Sequence, residues 1–124
     1  MEFRDNKAIY LQIAEYVCEH ILLGKWKAEE KVPSVRELAV ELEVNPNTVM
    51  RTYELLQNKN IINNKRGIGF FITDDAIEHV KSYRKVQFME DELPVVFRNI
   101  YLLNIGFDEL EGKYKTFVKE NFNA

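Results

Sequence analysis

The sequence predicts a mainly α-helical fold with a small β wing: a winged helix-turn-helix followed by a C-terminal helical region. Three observations carry this prediction. A helix with a clear start after Ser34 is interrupted at Glu43-Val44-Asn45, and a second helix with its own start signal follows at once. A glycine-bearing turn then joins two short apolar runs, Ile61-Ile62 and Phe70-Phe71-Ile72. Beyond that hairpin the apolar residues recur at helical spacing. The expected organisation is a domain over residues 1–74 and a helical tail over 75–124.

In chain order, Asp5 or Asn6 is a candidate cap for a first helix. Ile9, Ile13, Tyr16, Val17 and Ile21 form its apolar stripe, and Gly24 ends it. Trp26 is expected to pack in a short extended piece that pairs with the wing. Ser34 and Glu37 have the spacing of a capping box, and Val35, Leu38, Ala39 and Leu42 share one face. Asn45 is a good N-cap, and Pro46 suits the first helical position, where no backbone donor is needed. The second helix is expected over about 46–58, with Val49, Tyr53 and Leu56 buried. Asn47 and Arg51, four residues apart, share a different, polar face with Thr48 at its border. Asn60 is a plausible left-handed cap. The wing turn covers about 64–69, where Gly67 and Gly69 relieve backbone crowding and Lys65 and Arg66 place two positive charges.

Asp74-Asp75 opens a further helix, with carboxylates suited to its positive end. Its stripe is ambiguous between Ile77, Val80, Arg84 and Ala76, Val80, Tyr83, Gln87. Leu93, Val96, Phe97, Ile100 and Tyr101 make a clear apolar face on the next helix, with Pro94 in its first turn. After a turn at Asn104-Ile105-Gly106-Phe107, Asp108 and Glu111 resemble another capping box, and Leu110, Tyr114, Phe117 and Val118 continue the helical pattern. These helices are too few to bury their own aromatics. The same tail from a second copy is the expected cover, giving a two-fold homodimer whose dimerisation residues are Leu93, Val96, Phe97, Ile100, Tyr101, Leu110, Tyr114 and Phe117. Folding back onto the N-terminal domain is the alternative.

The polar face of the second helix has chemistry suited to DNA. A helix N-terminus bearing Asn45, Asn47 and Thr48 offers donors to phosphate oxygens and base edges. Arg51 can reach phosphate, or guanine O6 and N7 together. A capped surface helix with no ligand is the alternative, and the adjacent cationic wing weighs against it. The formal net charge of −3 does not announce a DNA binder, but its distribution does. Residues 44–73 carry Arg51, Lys59, Lys65 and Arg66 against the single carboxylate Glu54, a net of +3, which leaves −6 for the rest of the chain.

The block P-S-V-R-E-L-A-V-E-L-E-V-N-P-N-T-V-M-R-T-Y, followed by R-G-I-G-F-F-I, resembles the GntR family of bacterial transcriptional regulators. A-I-Y-L-Q-I-A-E-Y-V resembles that family's first helix, so the likeness covers roughly residues 8 to 73. The short tail is similar to the YtrA subfamily, which carries a small helical dimerisation region. The resemblance implies DNA contacts by Arg36, by Asn45, Asn47 and Thr48 opening the recognition helix, by Arg51, and by the wing-tip pair Arg66 and Gly67. It also implies a repressor of a transporter-type operon, and the expected two-fold dimer would read a near-palindromic double-stranded operator. The chain departs from the family at Glu43 and Asn60, where glycine is usual, and at Val32, where leucine is usual. Glu43 puts a carboxylate near the expected DNA face.

Other classes find little support. His20, His79 and Cys18 lack metal-ligand spacing, and no nucleophile–base pair appears, so neither an enzyme nor a metal or other cofactor is expected. A single cysteine is compatible with a reducing compartment. The start M-E-F-R-D lacks the apolar run of a signal peptide, and no apolar stretch approaches a membrane span, so a cytoplasmic location is expected. The remaining alternatives are a winged helix used as a protein-interaction module and a small-molecule sensor with a pocket between the tail helices.

Overall fold

The computed structural model describes residues 1–123. In chain order the elements are α1 (Ile9–Leu22), α2 (Val35–Leu42), α3 (Pro46–Asn58), β1 (Ile62–Lys65), β2 (Gly69–Ile72), α4 (Ala76–Gln87), a π-helical turn (Phe88–Glu92), α5 (Leu93–Leu102) and α6 (Phe107–Asn121). The fold is the winged helix-turn-helix with a helical tail. The chain divides into two compact units, the first ending at Val86 and the second beginning at Gln87. The first therefore runs past the expected boundary at residue 74, because Ala76 and Val80 of α4 are buried in its core. Of the two candidate stripes on α4 the structure selects the one through Ala76, Val80 and Tyr83, and leaves Ile77 exposed.

That core draws on every element of the first unit. Ile13, Ala14, Val17, Cys18 and Ile21 come from α1, Leu38, Ala39 and Leu42 from α2, and Val49, Tyr53 and Leu56 from α3. Ile61, Ile62 and Ile72 seal the base of the wing. Two buried polar side chains join the elements. Thr52 donates from Oγ1 to the Tyr10 carbonyl at 2.7 Å, tying α3 to α1. The Tyr53 hydroxyl donates to the Pro33 carbonyl at 2.7 Å, and its ring meets Phe70 edge-on at 5.1 Å. One residue thus ties α3 to the entry of α2 and to β2.

The start of α1 differs from expectation. Its N-cap is Ala8, with no side-chain cap. Gln12, buried where the stripe called for Ile9, organises this end instead. Its amide accepts from the Arg4 N–H and donates to the Arg4 and Lys7 carbonyls, folding the N-terminal arm back on the helix. Glu15 gathers Arg4, Lys7 and Arg84 around one carboxylate, which ties α4 to α1. Trp26 lies outside the extended piece and packs against Tyr16 and His20. The extended piece is formed by Glu29 to Val32, which bonds to the outer edge of β2 through Glu29 N–H to Ile72 O, Ile72 N–H to Glu30 O and Val32 N–H to Phe70 O.

The helix-turn-helix is built as its start signals direct. Ser34 and Glu37 exchange both capping-box hydrogen bonds, which hold the Glu37 carboxyl below its ordinary range. At the other end of α2, Glu43 takes a left-handed conformation with φ 56°. Its N–H bonds to the Val40 carbonyl, and the Val44 N–H bonds to the Ala39 carbonyl. Asn60, after α3, repeats this closure with φ 60°. Both positions thus use the conformation glycine enters at no steric cost. Glu43→Gly is expected to raise unfolding stability by about 0.5–1 kcal/mol, the relief of left-handed strain exceeding the added unfolded-chain entropy. A shift of the urea midpoint to higher concentration at constant slope is the expected readout. No shift would mean that the Glu43 side chain offsets its backbone strain.

In the second unit, no residue of the π-helical turn, α5 or α6 is buried. Pro94 lies in the first turn of α5 as expected, and the turn before it remains helical with the wider π pitch. Asn104 closes α5 in the left-handed conformation, with φ 54°. The capping box expected at Asp108 is not formed. The N-cap of α6 is Gly106, without a side-chain cap, and Asp108 falls inside the first turn.

Candidate nucleic-acid interface

Pro46 begins α3 and Asn45 caps it, its Oδ1 accepting from the Asn47 N–H at 2.8 Å. The carbonyl oxygen of the exposed Asn45 amide is therefore engaged in the cap. Asn47 is exposed in the first turn, Thr48 is half-buried at the border, and Arg51 is exposed one turn later. The opposite face, through Val49, Thr52, Tyr53 and Leu56, is wholly buried. Arg36 is exposed on α2.

Arg51 is not a loose surface cation. Its guanidinium lies over the ring of Tyr10 in α1, 3.9 Å from the centroid. Stacking of this kind contributes roughly 0.5–1 kcal/mol at exposed sites and narrows the directions the guanidinium samples. Sequence patterning gives Tyr10 no such role. It stands in the first helix as one more aromatic, and only the tertiary contact sets it apart.

The wing turn is compact. β1 and β2 pair antiparallel, with Ile62 opposite Ile72 and Lys65 opposite Gly69. The Ile68 N–H donates to the Lys65 carbonyl at 2.8 Å, and Gly67 takes φ 79° at the third position of this four-residue turn. That is the geometry of a type II turn, which favours glycine there. Lys65, Arg66 and Gly67 are all exposed. The Lys65 ammonium sits 4.3 Å from the centroid of the Phe71 ring. Gly69 has φ 140°, and a Cβ there would come within 2.8 Å of the Lys31 side chain. Lys31, which the sequence did not single out, thus lies against the wing as another cation. At the base of the wing, the Thr73 hydroxyl donates to the Asn60 carbonyl at 2.8 Å, joining the hairpin to the end of α3.

Elsewhere the chemistry is quiet. Burial pushes the Cys18 thiol up to about 12, so it is a core side chain rather than a nucleophile. His20 bonds to the Tyr16 carbonyl, and His79 pairs with Asp75 one turn away. No group of three or more metal-ligating side chains occurs among the described residues. No helix among them is long and apolar enough to cross a membrane.

The eight residues expected from the helix-turn-helix and the wing are thus exposed or half-exposed, on α2, on the outer face of α3 and at the wing turn. The family described as "Bacterial regulatory proteins, gntR family" matches residues 9–72. The HTH-type transcriptional regulator YhcF of Bacillus subtilis is 31% identical over 95% of this chain and 96% of its own length. The HTH-type transcriptional repressor YtrA of the same organism is 42% identical, over 59% of this chain and 56% of its own. A GntR family transcriptional regulator from Listeria monocytogenes superimposes with a TM-score of 0.76 at 35% identity, covering 92% of this chain and 98% of that structure.

Proposed function

The chain belongs to the GntR family of bacterial regulatory proteins, and is a DNA-binding transcriptional regulator; from that premise we propose that it is a dimeric repressor reading a near-palindromic operator with α3 and the wing. In this reading α3 enters the major groove. Asn47, Thr48 and Arg51 face base edges and phosphates, and the Asn45 amide and the first N–H groups of α3 meet the backbone. Lys65, Arg66 and the Gly67 backbone meet phosphate or the minor groove, and Arg36 approaches the strand from α2.

The observation that carries this reading is the division of α3. One face is locked into the core, and the other presents amide and guanidinium groups with the cationic wing joined to the helix at Thr73. The sign of regulation rests on the likeness to the repressor YtrA. A transporter-type operon as target rests on the resemblance to the YtrA subfamily. The dimer rests on the tail, where no residue of α5 or α6 is fully buried by the described residues. Leu93, Ile100 and Leu110 are half-buried, and Val96, Phe97, Tyr101, Tyr114 and Phe117 are exposed.

Selection of bound duplexes from a random pool is the direct test, and a recurring two-fold-symmetric sequence is the expected result. Arg51→Ala is expected to relax base preference by about 1–3 kcal/mol where its contact is bidentate. Equal weakening on matched and scrambled duplexes would instead assign Arg51 to the backbone. Arg66→Ala is expected to flatten the dependence of log K on log salt by about one unit for each phosphate it no longer neutralises. An unchanged slope would remove the wing from the phosphate footprint.

A further inference from the structure

Four exposed side chains share the outer face of α3 at helical spacing: Asn47, Met50, Arg51 and Glu54. Three are polar and can be matched to hydrogen-bonding groups on base edges. Met50 cannot. It is 39% exposed and is the one large apolar side chain of α3 in that state, since Val49, Tyr53 and Leu56 are buried and Leu55 packs against the core. A single exposed apolar residue is ordinary on a protein surface. Here its place decides, because it lies one turn beyond Asn47 and directly before Arg51, on the face that the proposed reading turns toward DNA. The major-groove edges of the base pairs carry one prominent apolar group, the C5 methyl of thymine. A methionine side chain is unbranched, turns about three bonds and ends in a polarizable thioether, so it can reach and cover such a group.

We infer that Met50 is a specificity-determining residue that packs on a thymine methyl in each half-site. The inference rests on the reading of α3 as the helix that enters the major groove. It adds an apolar element to the hydrogen bonds of Asn47 and Arg51. The operator then contains a thymine whose methyl, rather than its hydrogen-bonding edge, is recognised.

The test uses the full chain and duplexes selected by it from a random pool. Each thymine is replaced in turn by deoxyuridine, which removes the methyl and leaves base pairing intact. The expected result is one position per half-site at which replacement weakens binding roughly fourfold, the scale of burying one methyl-sized group. Met50→Leu keeps this sensitivity, and Met50→Ala abolishes it. Sensitivity that is equal in the wild type and Met50→Ala, or that is absent at every position, overturns the inference. Asn47→Ala and Arg51→Ala, measured on matched and scrambled duplexes, keep the two levels apart. If neither changes discrimination, α3 does not read bases and the groove reading itself fails. If they do and the deoxyuridine effects ignore Met50, only the role of Met50 fails.

Discussion

Phe97→Glu together with Tyr101→Glu is expected to turn the regulator into a monomer and to weaken binding to a two-half-site operator by roughly 10²–10³-fold, the scale of effective concentration forfeited when two linked sites are uncoupled. Phe97 is 48% and Tyr101 77% exposed on α5, no residue of which is buried. Aromatics in that state gain by burial against a second copy, and in a two-fold arrangement each substituted carboxylate enters the interface in both subunits. The first unit, which holds α3 and the wing, contains neither residue. Binding to a single half-site is therefore expected to change little. Sedimentation equilibrium and anisotropy titrations on one-site and two-site duplexes would read both effects. A double variant that still sediments as a dimer would move the interface away from α5.

Tyr53→Ala is expected to lower unfolding stability by about 3–5 kcal/mol, as for other large aromatic truncations in cores. Tyr53→Phe is expected to cost about 1 kcal/mol, the net worth of one hydrogen bond. The contrast separates the ring, which fills the centre of the unit and abuts Phe70, from the hydroxyl, which bonds to Pro33. Urea unfolding would measure both, and an alanine variant within about 1 kcal/mol of the wild type would contradict the central position of the ring. The same burial sets an alkaline limit. It raises the Tyr53 phenol above its ordinary 10.0 and pushes the Cys18 thiol from 9.0 up to about 12. The folded chain keeps protons that the unfolded chain releases above these ordinary values. Stability from both groups is thus intact below pH 9.0 and declines as pH rises beyond it.

The parts of the fold that were legible in the sequence are those fixed by local chemistry. Ser34 with Glu37, Asn45 with Pro46, and Gly67 each act on their own few residues, and each occurs as the spacing required. Glu43 and Asn60 are instructive in another way. As departures from a usual glycine they look like substitutions of unlike chemistry, yet both keep the left-handed backbone that glycine would supply. The misreadings lie where distant elements decide. Gln12 replaces Ile9 in the interior because its amide satisfies the Arg4 and Lys7 backbone, a demand invisible to periodicity. The stripe on α4 was ambiguous because only packing in the core of the first unit distinguishes Ala76 from Ile77. Asp108 had the spacing of a cap but lies inside α6, one position beyond where the helix begins. For the site, residue types and exposure were readable, while the stacking of Arg51 on Tyr10 and the approach of Lys31 to Gly69 required the tertiary fold.

The hydroxyl of Thr52 has an implication for retargeting. Anchored to the Tyr10 carbonyl from the sealed side of α3, it acts with the buried Val49, Tyr53 and Leu56 to set how far that helix is rolled about its own axis. If α3 reads bases as proposed, exchanging the outward residues would rewrite which bases are favoured without re-aiming the rod that carries them. In that reading, replacing Thr52 by valine would remove one of the ties that set the roll, leaving the packing of Val49, Tyr53 and Leu56 to hold it.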